Sequence, residues 1–163
     1  YTNVEGYLIN KKMKKILLIV MLTLILSACG QQVNMDEQAK DGNYHYENRD
    51  FGFVVTLPTE FEYYQTQRIE TSVYTDIEFF LPTKDPEFTE ETFPSYFKPL
   101  VIRVWSDSLY PTLSEEQKSG FSSFGNKNNQ EYSYKFTTRI PSDWTERWSE
   151  DMKQFIIYNL ELK

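Results

Sequence analysis

Between Tyr44 and Lys163 apolar residues recur at every second position in short runs, each closed by a proline or a polar cluster. Phe51, Phe53, Val55 and Leu57 alternate with Gly52, Val54 and Thr56 before Pro58, which predicts a strand with one strongly apolar face. Val73, Thr75, Ile77, Phe79 and Leu81 form a second alternation that stops at Pro82, with Asp76 and Glu78 on the other face. Leu100, Ile102 and Val104 alternate with Val101, Arg103 and Trp105 as a central strand, and Tyr132, Tyr134 and Phe136 mark another. Phe61–Arg68 is a weaker strand candidate, and Leu160 and Leu162 suit a short edge strand. Lys84–Pro99, with three prolines and several acids, reads as a long loop, and Asn126–Gln130 as a turn-rich break.

Capping patterns predict two helices. Thr112–Glu115 and Ser114–Gln117 both fit a capping box, so a short helix should run to about Ser119 and stop at Gly120. Pro141-Ser142-Asp143 should open the longest helix, with Asp143 and Glu146 as its box and Trp144, Trp148, Met152, Phe155 and Asn159 on its inward stripe. Strands outnumber helices and their connections read as antiparallel. The expected class is therefore α+β: an antiparallel sheet packed against a long C-terminal helix and a shorter one. A small β-sandwich or barrel with a C-terminal helix is the other architecture that fits.

A different pattern precedes the domain. Lys14 and Lys15 lead into an apolar run from Ile16 to Leu26, broken only by Thr23, and then come Ser27, Ala28 and the single cysteine, Cys29. Crossing a bilayer as a helix takes about 20 apolar residues. The run is shorter than that and suits the core of a secretory signal. Translation is expected to start at Met13, with residues 1–12 a non-native upstream extension. Leu26-Ser27-Ala28-Cys29 resembles the bacterial lipobox. That resemblance implies cleavage before Cys29, a diacylglyceryl group on its thiol and an N-acyl chain besides, with no other cofactor. Each buried CH₂ contributes about 0.8 kcal/mol, so two or three acyl chains would hold the protein durably to the extracytoplasmic face of a membrane in the cell envelope. Residues 29–43 are polar and read as a flexible tether, roughly 20 Å in random-coil span. Residues 44–163 form the single expected domain.

Composition narrows the function. Four of the 17 basic residues and one of the 24 acidic ones precede Cys29, which leaves a net charge of −10 on the mature part. So acidic a chain suits neither nucleic acid nor anionic headgroups. With one cysteine, the domain has no disulfide. Aromatic residues reach 17%, including twelve tyrosines and twelve phenylalanines, which favours sheet.

The residues that could carry chemistry are few. His45 is the only histidine and lies between Tyr44 and Tyr46 at the tether–domain junction, so a triad or a His-containing zinc site would have to use it. Asp85, Glu87, Glu90 and Glu91 cluster in the long loop without the Asp-x-Asp-x-Asp-Gly order of a calcium loop, and read as a solvated charged segment; no metal site is expected. Paired carboxylates leave a glycoside-type hydrolase as the one enzymatic reading. Tyr74, Phe80, Val101 and Trp105 share the strand faces opposite the predicted core. Left uncovered, they would form an apolar patch for a partner or sugar, with Tyr74 and Trp105 as the ligand-binding candidates; otherwise they pack beneath the 84–99 loop or the helices. Trp144 and Trp148 are assigned to the core.

The opening Tyr46-Glu-Asn-Arg-Asp-Phe-Gly-Phe-Val-Val-Thr-Leu-Pro58, the Leu100-Val-Ile-Arg-Val104 strand followed by Leu113-Ser-Glu-Glu116, and the ending Ile156-Ile-Tyr-Asn-Leu-Glu-Leu-Lys163 resemble the start, middle and end of PsbP-like domains. Phe61 stands where that family usually has a tryptophan. The resemblance implies a binding scaffold rather than an enzyme, and no functional residue carries over from it. The combined expectation is a lipid-anchored, non-catalytic binding or assembly-accessory lipoprotein whose partners are the bilayer, through Cys29, and an envelope protein. The second expectation is a small-ligand or glycan receptor that uses exposed aromatics.

Overall fold

The structure is a computed structural model, and it describes residues 38–88, 93–106 and 109–163. Residues 1–12, the expected signal segment 13–28, Cys29, most of the expected tether, Glu90 and Glu91 lie outside the described residues.

Two antiparallel sheets dominate, giving an α+β-like domain. The smaller has the order β1 (Tyr44–Asn48), β2 (Phe53–Leu57), β8 (Leu160–Leu162). The larger has the order β3 (Gln65–Glu70), β4 (Tyr74–Pro82), β5 (Tyr96–Ser106), β7 (Gln130–Phe136), β6 (Ser122–Lys127). The two helices are α1 (Glu115–Lys118) and α2 (Glu150–Tyr158). The single expected sheet is thus two, because β1, β2 and β8 pair with one another rather than with β4 or β5.

The alternations put one apolar face of each sheet into a common core. Ile77, Phe79 and Leu81 of β4, Leu100, Ile102 and Val104 of β5, and Tyr132 of β7 meet Tyr44, Tyr46, Phe53, Val55 and Leu57 of the smaller sheet. The Tyr46 and Phe79 rings touch edge to face at 5.0 Å. Met152 and Ile156 of α2 join this core, and Trp148 fills the gap beside it, 6.4 Å from Phe97, 5.7 Å from Phe136 and 6.3 Å from Phe61.

Several boundaries differ from the pattern-based expectation. β5 begins at Tyr96, inside the segment read as loop, because a register shift between Phe79 and Leu81 places Lys98 and Pro99 where a proline removes no ladder bond. β6, in the run Ser122–Lys127, has no apolar alternation and was not expected; it pairs with β7 through a two-residue turn at Asn128 and Asn129, whose φ angles are +49° and +61°. Asparagine tolerates that left-handed conformation, and two such residues in succession match the twist of a tight hairpin. The weak strand expected from Phe61 starts four residues later at Gln65, since Thr59–Phe61 is a 3₁₀ turn that buries the Phe61 ring.

The C-terminal helix is shorter than expected. Ser142–Trp144 forms a 3₁₀ turn, and α2 starts only after Ser149, whose hydroxyl accepts from Met152 N at 3.2 Å. Asp143 does not cap a helix. Its carboxylate accepts from Thr83 Oγ1 at 2.5 Å and from Lys84 N at 2.9 Å, tying this turn to the end of β4. The box at Ser114 and Gln117 does form, whereas Thr112 ends a 3₁₀ turn and donates to Leu109 O. The end of the expected tether is anchored before Tyr44: Gln38 Nε2 donates to Gly42 O at 2.6 Å and to Thr59 Oγ1 at 3.0 Å.

Candidate functional site

At one end of the larger sheet three turns converge. They are the β1–β2 turn with Phe51, the β3–β4 turn at Thr71–Val73 and the β6–β7 turn with Asn129. Together with the first residues of β4 and the last of β5 they enclose an open cleft of about 430 Å³. Tyr74, Thr75, Val104, Ser106 and Gln130 complete its lining.

Local bonding fixes each wall. Thr71 Oγ1 accepts from Val73 N at 3.2 Å and Tyr74 N at 3.0 Å and donates to Tyr74 O at 2.8 Å, which locks the β3–β4 turn. Ser106 N donates to Val73 O, drawing the end of β5 under that turn. The Tyr132 hydroxyl lies 2.8 Å from Phe51 O and 3.0 Å from Gln130 Oε1, so one phenol ties two rims together. Burial of that phenol pushes its pKa above the usual tyrosine value. Outside the cleft Arg68 lies over the Phe51 ring at 4.8 Å and pairs with Asp50 at 2.7 Å and Glu70 at 2.7 Å.

The two aromatic candidates have different fates. Tyr74 is half-buried and lines the cleft. Trp105, 2% exposed, does not. The patch the two would have shared required an uncovered face, and at Trp105 the face is covered: Tyr110 and Phe121, from either side of α1, meet the indole at 5.6 and 6.0 Å. Trp105 Nε1 donates to Ser133 Oγ at 2.7 Å, and its ring meets Tyr74 at 5.5 Å. Phe80, also buried, packs against Phe93 at 4.8 Å, which belongs to the 84–99 loop. Between Tyr74 and Phe121 sits the Arg103 guanidinium, 3.5 and 4.1 Å from the two ring centroids.

His45 lies in a linear array on the outer side of β1. Its Nε2 is 3.0 Å from Asp41 Oδ2 and its Nδ1 is 3.2 Å from Thr56 Oγ1. The order carboxylate, imidazole, hydroxyl is that of a hydrolytic triad, but none of the three residues lines the cleft, and His45 and Asp41 are each half exposed. The backbone N–H of Asn43, with help from His45, holds the Asp41 carboxyl below the usual range, so the array works as a bracket between the turn before β1 and β2.

Of the acidic loop, Asp85 and Glu87 are described, and both make bonds. Asp85 Oδ2 accepts from Ser142 N at 2.8 Å and Oδ1 from Glu87 N at 3.0 Å, while Glu87 pairs with Arg139 at 3.1 Å. Among the described residues no group of three or more His, Cys, Asp or Glu side chains is placed to hold a metal ion.

Thr75, Ser106, Asn129 and Gln130 carry no motif and were not singled out from sequence. They are 55 residues apart at most in the chain, and only hairpin pairing brings them to one mouth. The Asn128-Asn129 doublet was the one local signal available, as a turn former. No protein-family model, no curated protein and no solved structure matches this chain.

Proposed function

We propose that the chain is a lipid-anchored lipoprotein of the bacterial envelope whose extracytoplasmic domain acts by binding, as a PsbP-like scaffold, and assists an envelope protein rather than catalysing a reaction. The observation that carries this reading is the succession Lys14-Lys15, Ile16–Leu26 and Leu26-Ser27-Ala28-Cys29 placed directly before a polar tether and one folded domain. The lining of the cleft supports binding over catalysis: among the described residues it offers hydroxyls, amides and apolar groups, but no carboxylate or imidazole to move a proton. Metabolic labelling with palmitate tests the anchor. The native chain incorporates label and shifts to its processed size, and Cys29→Ala does neither; label retained by Cys29→Ala removes the proposal. Crosslinking of the native chain in its own envelope identifies the partner protein.

The cleft favours a second reading, a receptor for a small ligand. Tyr74 is the aromatic candidate that this reading keeps, since it is a lining residue of the cleft and Trp105 is not.

A further inference from the structure

We propose that the cleft beside Tyr74 binds a neutral, polyhydroxylated ligand, one or two sugar units of a glycan; this rests on the small-ligand reading of the same cleft. A volume of about 430 Å³ lies within the ordinary range for small-molecule sites, roughly 300–1,000 Å³.

The polar lining includes the hydroxyls and carboxamides of Ser72, Thr75, Asn129 and Gln130. Every one of these groups can donate and accept, as every sugar hydroxyl can, so a ring of hydroxyls finds partners here without a fixed donor–acceptor code. The apolar lining of Phe51, Val73 and Val104 suits the C–H faces of a pyranose. The turns around the cleft are set beforehand, by Thr71 on one side and by the Tyr132 hydroxyl on the other.

Charge decides the class. Among the described residues no acidic or basic side chain lines the cleft. A phosphate or carboxylate group would leave its hydration shell without a guanidinium or ammonium to replace it, and a cation would find no carboxylate. The net charge of −7 adds repulsion against anions.

The test titrates the isotope-labelled full chain, in a detergent without a sugar headgroup, with glucose, N-acetylglucosamine, cellobiose and chitobiose, and with glucose 6-phosphate and glucuronic acid as charged counterparts. At least one neutral sugar should shift the amides of Tyr74, Thr75 and Asn129 saturably, and its charged counterpart should bind about tenfold more weakly for want of a paired charge. Thr75→Val keeps the β-branched shape and removes the hydroxyl, and Asn129→Gly keeps the positive φ and removes the amide. Each should weaken binding by about five- to tenfold, the equivalent of one hydrogen bond, with the rest of the spectrum unchanged. A charged ligand that saturates the same amides as tightly as its neutral counterpart overturns the class while leaving the cleft as the receptor site. Saturable shifts that map elsewhere, or no shift with any sugar, overturn the site as well. Lipidation at Cys29 is read separately by palmitate and is untouched by either result.

Discussion

Arg103 on β5 and Asp76 on β4 face each other as a bidentate pair, Nε to Oδ1 at 2.6 Å and Nη2 to Oδ2 at 2.7 Å, with side-chain exposures of only 13% and 8%. The guanidinium is also enclosed by Tyr74, Phe121 and Trp105. A pair this dry is costly to break, since the remaining charge stays in a place water barely reaches. Arg103→Ala should destabilise the domain by about 3–5 kcal/mol. Arg103→Lys should also destabilise it, because an ammonium matches neither the two carboxylate oxygens nor the flat stack between rings. The double variant Arg103→Met with Asp76→Val should be more stable than either Arg103→Ala or Asp76→Ala in urea denaturation, because it leaves no orphan charge. A double variant as unstable as the sum of the singles would show that the pair contributes through packing alone.

The three tryptophans make a graded comparison. Trp105 Nε1 is bonded to Ser133 and Trp144 Nε1 donates to Pro82 O at 2.9 Å, whereas Trp148 Nε1 is buried with no partner. Leaving a buried N–H unpaired costs about 1–3 kcal/mol. Trp148→Phe removes that cost along with some packing volume, so it should change stability by less than about 1.5 kcal/mol. Trp144→Phe loses the same volume and strands the Pro82 carbonyl, so it should lower the denaturation midpoint further than Trp148→Phe does. Equal midpoint shifts for the two variants would rule this account out.

How much of this was legible beforehand follows from the range of the interactions. The faces of β2, β4, β5 and β7 could be read from alternation, because burial on one side of a strand is written at every second residue. The box at Ser114 and the edge strand at Leu160–Leu162 were local enough to read as well. The two-sheet arrangement was not, since nothing in Phe53–Leu57 alone says that its partners are Tyr44–Asn48 and Leu160–Leu162 rather than β4. β6 was illegible for a plainer reason: Ser122–Lys127 is an edge strand whose pairing needs no apolar pattern. The cleft was hidden entirely, apart from Tyr74, because its hydroxyls and amides sit on three turns that local chemistry marks only as turns.

Asp143 and Ser149 show the same limit at one helix. Both residue types cap helices, and six positions separate them. Asp143 is taken by Thr83 and Lys84 across the fold, which leaves Ser149 to start α2. Ser149→Ala should therefore cost about 1 kcal/mol and fray the first turn of α2, visible as faster hydrogen exchange at Met152 and Lys153. Asp143→Ala should leave exchange at those two amides unchanged and speed it at Lys84. Fraying of α2 in Asp143→Ala would mean that the helix begins at the earlier residue after all.

The junction of the 83–88 and 139–145 segments should also be sensitive to acid. The backbone N–H of Ser142, then that of Glu87, hold the Asp85 carboxyl below its ordinary value of 3.8, and Arg139 adds to this. At Asp143 burial pushes the carboxyl up and the nearby Asp85 charge does the same, but the hydrogen bonds from Thr83 and Lys84 outweigh both and bring it below 3.8. Groups lowered on folding stabilise the folded state above their unfolded values, and that contribution fades as pH falls through the folded ones. The junction should thus be intact at neutral pH and loosen only below about pH 4, the range where free aspartate titrates. In an NMR titration the Ser142 and Lys84 amides should move together with midpoints under 3.8, and Asp85→Asn should abolish the Ser142 step while leaving that of Lys84. Midpoints at or above 3.8 would mean that these carboxylates are not held in the bonds described, and that the two segments are joined by the Trp144–Pro82 contact and the Arg139 stack on Phe88 instead.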